Sequence, residues 1–326
     1  MSIEPLIKSI KPLTNWLKPY LSWVIVGGTS FFVIKALKDH WQEVAALQVT
    51  AASWACFAIA LGLTLLAHIW CGWAWHWILQ TFDQSFSGIW GIQVYLRTNL
   101  AKYLPGNVWH FYGRVRAVQE KGASTGVAIL SVAMEPLLMA AAALAIASVS
   151  SWDFWLLRLG VLIAVLLGVH PRLFNPVLKK MGQSKAKGLS KDRAGGESIQ
   201  LRHYPVKPFL GELGFVGLRG AGFMFTVLAL QPLTGSQLMP LLGGFSLAWL
   251  LGLVVPGAPG GIGVFEAVAI ALLGSQFTAA PLLSSIAFYR LISTLAEVMG
   301  AGLIWLDSPT EPSDPLAIKP SVQSKR

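Results

Sequence analysis

Long apolar runs recur along almost the whole chain, and they constrain its fold more than any other feature. A helix needs about 20 consecutive apolar residues to cross the hydrocarbon core of a bilayer. On that measure we predict seven long spans, of which the first is slightly short. The predicted spans are residues 21–37, 51–79, 125–149, 155–170, 208–230, 238–255 and 281–306.

The composition agrees with a membrane domain and argues against a soluble enzyme. Of the 326 residues, 54% are hydrophobic and only 12% are charged, whereas soluble domains carry about 25% charged residues. We therefore predict an all-α, polytopic membrane helix bundle of about seven or eight spans over residues 21–306. Residues 1–20 are expected to form a cytoplasmic leader, and the Pro- and Ser-rich tail, 307–326, is expected to be disordered.

Two apolar stretches are interrupted, and we expect them to be broken or re-entrant helices. The first is 86–121 and the second is 262–273, each beside a Pro-Gly break. Proline ends helices, and glycine adopts backbone conformations that other residues avoid. Backbone groups left unpaired there cannot face lipid, so re-entry is favoured over a plain turn outside the membrane. The residues assigned to the breaks are Pro105, Gly106, Pro256, Gly257, Pro259, Gly260, Gly261 and Gly263.

The distribution of basic residues predicts the orientation of the chain. Segment 171–207 carries nine Lys or Arg against Asp192 and Glu197, so the positive-inside rule places it in the cytoplasm. Counting spans backward places the N-terminus there as well, in a multi-pass protein of the cell membrane. The net charge of +10 is explained by these loops, and we predict no nucleic-acid partner.

Several ionisable residues fall inside apolar spans, where charge is costly and marks function by default. The alternative is that they form buried ion pairs that only hold helices together. Glu212 and Arg219 are seven residues apart, on one helix face and about 10 Å from each other, so both are expected to line one cavity. Arg290 and Glu297 have the same spacing. The full set is Glu135, Glu212, Arg219, Glu266, Arg290 and Glu297.

The stretch around the first break mixes cations, amides and aromatic residues, as expected of a lipid-headgroup site. It includes Asn99, Lys102 and Arg114. Ordinary anchoring at the membrane face explains the same composition. After the second break, the N-terminus of the next helix is expected to face a cavity and attract an anion, with Glu266 either capping it or competing there.

No motif of a soluble enzyme is found in the sequence. A nucleophile elbow, a P-loop, zinc-ligand spacing and a dinucleotide fingerprint are all missing. His68 and His76 are eight residues apart and do not face one iron. We therefore predict a protein that is not an enzyme and has neither a cofactor nor a metal.

Two motifs together resemble a known family. The first is residues 99–106, followed by Trp109, Gly113 and Arg114; the second is residues 259–266, with Tyr289, Arg290 and Glu297 downstream. This pattern is similar to the lysylphosphatidylglycerol synthase transmembrane-region family, the flippase-like membrane proteins. In the best-understood relatives the domain is fused to a soluble aminoacyl transferase and moves aminoacylated phosphatidylglycerol to the outer leaflet. The present sequence lacks that transferase, so we expect a stand-alone member.

The resemblance implies a membrane domain that handles a lipid with an anionic headgroup. The expected cargo is an anionic or aminoacylated phospholipid, or a lipid linked to polyprenyl phosphate. The alternative is a scaffold that does not transport lipid but presents it to a separate glycosyl- or aminoacyl-transferase. Arginines and the Gly-rich helix end would hold phosphate, and carboxylates would balance them or bind an amine. The predicted headgroup residues are Asn99, Lys102, Arg114, Glu135, Arg219, Glu266, Arg290 and Glu297.

Overall fold

The computed structural model describes residues 31, 34–35, 38–39, 41–104, 108–150, 155–176, 201, 203–255 and 259–307. Within these ranges every regular element is a helix. The predicted leader 1–20, most of the first predicted span, the middle of the basic loop and nearly all of the tail lie outside the described residues. So do four of the predicted break residues, namely Pro105, Gly106, Pro256 and Gly257.

The described part of the chain contains nine principal helices, a five-residue helix before them and two 3-10 turns. A five-residue helix, Trp41–Ala45, precedes them. Two 3-10 turns, Leu100–Tyr103 and Pro259–Gly261, lie beside the two predicted breaks. The principal helices are α1 (Ala51–Thr81), α2 (Gly88–Asn99), α3 (Trp109–Glu120), α4 (Thr125–Ser150), α5 (Trp155–Val169), α6 (Val206–Leu228), α7 (Gly235–Val254), α8 (Val264–Leu273) and α9 (Ala279–Asp307).

Four of these helices are long and apolar enough to cross a membrane. They are α1, α4, α7 and the part of α9 that ends at Leu306, and they match four of the predicted spans. The predicted total of seven or eight spans is not confirmed. Helix α5 has only 15 residues. Helix α6 has 23, but Glu212, Arg219 and its glycines make it less apolar than the four.

The two interrupted stretches contain helices too short to cross a bilayer alone. Helices α2 and α3 have 12 residues each and α8 has 10. At 1.5 Å per residue, such helices extend about 15–18 Å, roughly half of a 30 Å hydrocarbon core. These lengths suit the predicted broken helices, whose depth in the membrane stays a prediction.

Helix α1 lies at the centre of the bundle and packs against α6, α2 and α9. Glycines on α6 allow the close approach to α1. A Cβ built on Gly211 would lie 2.7 Å from the Cβ of Ala74, and one on Gly214 would lie 2.7 Å from Nε1 of Trp70. The indole N–H of Trp70 donates to the carbonyl of Gly211 at 2.8 Å. Small residues thus bring the two helices close enough for a side chain on one to bond the backbone of the other.

Replacing Gly72 on α1 by alanine is expected to lower the free energy of unfolding by about 1–3 kcal/mol. The added methyl would lie 2.7 Å from Cα of Ile92, and α2 must move to make room for it. Thermal unfolding of detergent-purified protein measures the change. Gly62→Ala on the same helix is the matched control, because its new methyl meets nothing within 4 Å. Equal melting temperatures for the two variants would contradict the close contact of α1 with α2.

Candidate functional site

A cavity of about 120 Å³ with a mixed polar and apolar lining lies inside the helix bundle, next to both 3-10 turns. A water molecule occupies about 30 Å³ in the liquid, so the cavity has room for roughly four waters or one small polar group. Apolar side chains form only part of its wall. Its charged and hydrogen-bonding side chains are His68, Tyr95, Asn99, Lys102, Tyr103, His110, Arg114, Glu135, Arg219, Tyr289, Arg290, Ser293 and Glu297.

Glu297 on α9 is the carboxylate at the centre of one cluster of cations. Its Oε1 accepts from Nζ of Lys102 at 2.6 Å and lies 2.9 Å from Nε2 of His68. Nη1 of Arg219 is farther from the same oxygen, at 3.9 Å. The Glu297 side chain is 1% exposed, and its Oε2 has no hydrogen-bond partner among the described residues. One buried carboxylate is therefore shared by at least two cations.

Arg219 is held mainly by an aromatic hydroxyl and only weakly by a carboxylate. Its Nε donates to the hydroxyl of Tyr289 at 2.7 Å. That hydroxyl donates in turn to the backbone carbonyl of Arg219 at 3.2 Å. Because Lys102 is much closer to Glu297 than Arg219 is, the Arg219 guanidinium is the less fully neutralised of the two cations.

Arg114 and Glu135 form a second, deeply buried ion pair. Helix α3 starts just after the first break and brings Arg114 against α4, where its Nη1 donates to Oε2 of Glu135. The two side chains are 1% and 3% exposed. The guanidinium also lies 3.9 Å from the ring centre of Tyr95, and its Nε donates to Thr98 Oγ1 at 3.3 Å. Side chains of two helices, α2 and α4, therefore fix the orientation of Arg114 toward the cavity.

Arg290 fastens the glycine-rich turn that follows the second break. Its Nε donates to Oε1 of Glu266. Its Nη1 and Nη2 donate to the carbonyls of Gly260 and Gly261, at 2.9 and 2.7 Å. The turn needs glycine, because φ is +60° at Gly260, +71° at Gly261 and +86° at Gly263, in the left-handed region that other residues avoid. Arg290 thus hydrogen-bonds the backbone of the turn and also lines the cavity.

The N-terminus of α8 is already capped by the protein itself. Oε2 of Glu266 accepts from the backbone N–H of Gly263 at 2.6 Å. Of the two roles expected for Glu266, capping is therefore the one seen. At least one of the N–H groups at this helix end is therefore bonded within the protein, and anion binding there stays a prediction.

The two 3-10 turns that border the breaks contact each other. A Cβ built on Gly260 would lie 3.0 Å from the ring of Tyr103. The hydroxyl of Tyr103 lies 3.4 Å from Oγ1 of Thr294 on α9. The two interrupted stretches, far apart in sequence, therefore meet at one side of the cavity.

Seven of the eight predicted headgroup residues line this cavity, and the eighth, Glu266, binds Arg290 just behind its wall. Their role in binding stays a prediction. Glu212 does not share the cavity with Arg219 as expected; it is fully buried against Cys71. Sequence reasoning did not single out His68 for this site. Its position as an ionisable side chain within an apolar span was the signal that could have found it.

The charges around the cavity do not balance. Lys102, Arg114, Arg219 and Arg290 supply four cations, whereas Glu135, Glu266 and Glu297 supply three carboxylates. Because buried charge is costly unless it is paired, one anionic group would complete the set. The geometry therefore suits binding of a small anion, such as a phosphate group.

The described helices and cavity define the class of the chain: a helical protein with four candidate membrane spans and a charged internal cavity. No protein-family model matches the chain, and no curated protein matches it.

Proposed function

We propose that the chain is a flippase-like lipid transporter that holds an anionic headgroup in this cavity while the acyl chains stay in the bilayer. The observation that carries the proposal is that four cations and three carboxylates surround the cavity, with Arg114 and Arg219 buried and Lys102 and Arg290 partly exposed. An anionic headgroup removes that excess, so the protein gains most from a negatively charged ligand. The resemblance of the two break motifs to the lysylphosphatidylglycerol synthase transmembrane region supports the same class.

The size of the cavity limits what enters it. A volume of about 120 Å³ suits a phosphate and its immediate substituents, but not a whole lipid. The proposed cargo is an anionic or aminoacylated phospholipid, or a polyprenyl-phosphate lipid. In an aminoacylated lipid, the amine would be attracted to the carboxylates of Glu135 and Glu297. We further propose a cell-membrane location with the N-terminus and segment 171–207 in the cytoplasm.

Leaflet exchange in reconstituted vesicles tests transport directly. Liposomes would contain phosphatidylglycerol with a fluorophore on its acyl chain, and a membrane-impermeant reductant would bleach the outer leaflet. We expect bleaching to continue beyond the outer-leaflet fraction only in vesicles that contain the protein. The same vesicles with labelled phosphatidylcholine, which has no net charge, report selectivity. Exchange no faster than in protein-free vesicles, for phosphatidylglycerol, its lysylated form and a labelled polyprenyl phosphate alike, would rule out transport.

The small cavity also suits the alternative, a scaffold that presents a headgroup to a separate transferase. That function needs the headgroup site but not passage across the membrane. Purification in mild detergent, followed by mass spectrometry of bound lipid and protein, distinguishes the two. A stoichiometric partner together with retained anionic lipid and no leaflet exchange would favour the scaffold.

A further inference from the structure

A second cluster of titratable side chains extends from the cavity wall, where Glu135 lies, into the packed interior behind it. It consists of Cys71 on α1, Glu135 on α4 and Glu212 on α6. The thiol sulfur of Cys71 lies 3.9 Å from Oε1 of Glu135 and 3.8 Å from Oε2 of Glu212. All three residues are buried, and Glu212 is fully so. Two carboxyl groups therefore lie beside one thiol in a buried part of the bundle.

The two carboxyl groups differ in their partners. Glu135 has the guanidinium of Arg114, whereas no Lys, Arg or His of the described chain comes within ion-pair distance of Glu212. Oε1 of Glu212 also has no hydrogen-bond partner there. A buried carboxylate without a cation is among the costliest groups a protein can hold.

Other elements around Glu212 do not supply the missing charge. Helix α7 contributes no titratable side chain, and the ionisable residues of α9 face Arg219 and Glu266 instead. From α2, Tyr95 lies under the Arg114 guanidinium and its hydroxyl also neighbours the Cys71 thiol, but a neutral phenol supplies no positive charge. On α6 itself, Arg219 bonds Tyr289, and Lys207 is exposed. The thiol has one hydrogen and can donate to only one carboxylate. If the thiol donates to Glu135, its contact with Glu212 can be a hydrogen bond only when the Glu212 carboxyl group is protonated and acts as the donor to the sulfur.

We propose that Cys71, Glu135 and Glu212 form a proton site that links headgroup binding to proton uptake. In the empty protein Glu212 holds a resident proton, and Glu135 is ionised against Arg114. When an anionic headgroup forms an ion pair with Arg114, the Arg114–Glu135 ion pair breaks, and Glu135 takes up one proton from water. The proton neutralises the carboxylate that has lost its cation, so no unpaired carboxylate is left beside Glu212. This linkage rests on the proposed function, whereas the resident proton does not.

Infrared spectroscopy of the ligand-free protein tests the resident proton alone. At neutral pH we expect a carbonyl stretching band of a protonated carboxyl group. The band should disappear in Glu212→Gln and remain in Glu120→Gln, an exposed residue. Cys71→Ser should shift the band, because a hydroxyl accepts a stronger hydrogen bond than a thiol. Absence of the band in the native protein, or its survival in Glu212→Gln, would overturn the assignment whether or not the protein transports lipid.

Calorimetry tests the linkage with a named probe, dihexanoyl phosphatidylglycerol. Titrations in buffers of different ionisation enthalpy give the number of protons taken up on binding. We expect about one proton to be taken up per lipid bound. The dissociation constant should therefore increase about tenfold for each unit by which the pH is raised. In Glu135→Gln the number of protons taken up per bound lipid should fall to zero. Lipid binding without proton uptake in the native protein would refute the linkage but leave the proposed function standing. The absence of any lipid binding would refute both the linkage and the proposed headgroup site. Neither result bears on the resident proton of Glu212.

Discussion

Replacing Glu297 by alanine is expected to lower the free energy of unfolding by about 3–5 kcal/mol, the usual cost of removing one partner of a buried ion pair. The carboxylate is the common acceptor for Lys102 and the neighbour of His68 and Arg219. Without it, the buried Arg219 and the partly exposed Lys102 lose the carboxylate that they share. Thermal unfolding in detergent, and the yield of monodisperse protein, measure the loss.

The same position separates stability from headgroup binding. Glu297→Gln keeps the shape of the side chain but adds one net positive charge to the cavity. We expect this variant to melt at a lower temperature than the native protein yet to bind dihexanoyl phosphatidylglycerol more tightly. The lipid should then recover much of the lost stability, since it replaces the missing negative charge. Glu120→Gln is the control, because the Glu120–Arg116 pair is exposed and should matter little. Weaker lipid binding by Glu297→Gln would contradict an anion site.

Replacing Arg114 by methionine is expected to have a second large effect, again of about 3–5 kcal/mol. Glu135 would be left beside Glu212 with no guanidinium nearby. The packing of Arg114 on the Tyr95 ring would also be lost. The double variant Arg114→Met with Glu135→Gln should recover most of the stability, because neither charge then remains unpaired. Melting temperatures of the two single variants and the double variant form a complete cycle.

Leaflet exchange by that double variant distinguishes a structural from a functional role. If the pair only holds α3 against α4, a stable double variant should exchange phosphatidylglycerol at the native rate. If Arg114 contacts the headgroup, the double variant should fold well but exchange anionic lipid at least tenfold more slowly. Arg116→Met, on the exposed side of the same helix, should match the native rate in either case.

Much of the fold follows from the sequence because lipid leaves few alternatives. Apolar length alone predicted the four helices now seen to be long enough to cross a bilayer. The number of spans was harder to predict, since α5 is short and α6 combines glycines with Glu212 and Arg219. Apolar content does not separate a helix that crosses lipid from one surrounded by other helices.

The sequence also predicted which charged residues line the cavity, but not which carboxylate pairs with which cation. The cost of intramembrane charge marked Glu135, Arg219 and Glu297, and all three line the cavity. Helix spacing suggested that Glu212 would join Arg219 there, yet Glu212 turns toward α1 and α4. Which carboxylate meets which cation depends on how helices distant in sequence are rotated against each other, and local spacing does not contain that information.

The ion pairs around Glu297 impose an order on biosynthesis. Lys102, His68 and Arg219 emerge from the ribosome well before Glu297, which lies 195 residues after Lys102. Until the last helix is inserted, these side chains have no carboxylate of their own and must be tolerated by the insertion machinery or by lipid headgroups. A nascent chain that stops before α9 therefore lacks the one carboxylate that Lys102 and Arg219 share in the finished bundle.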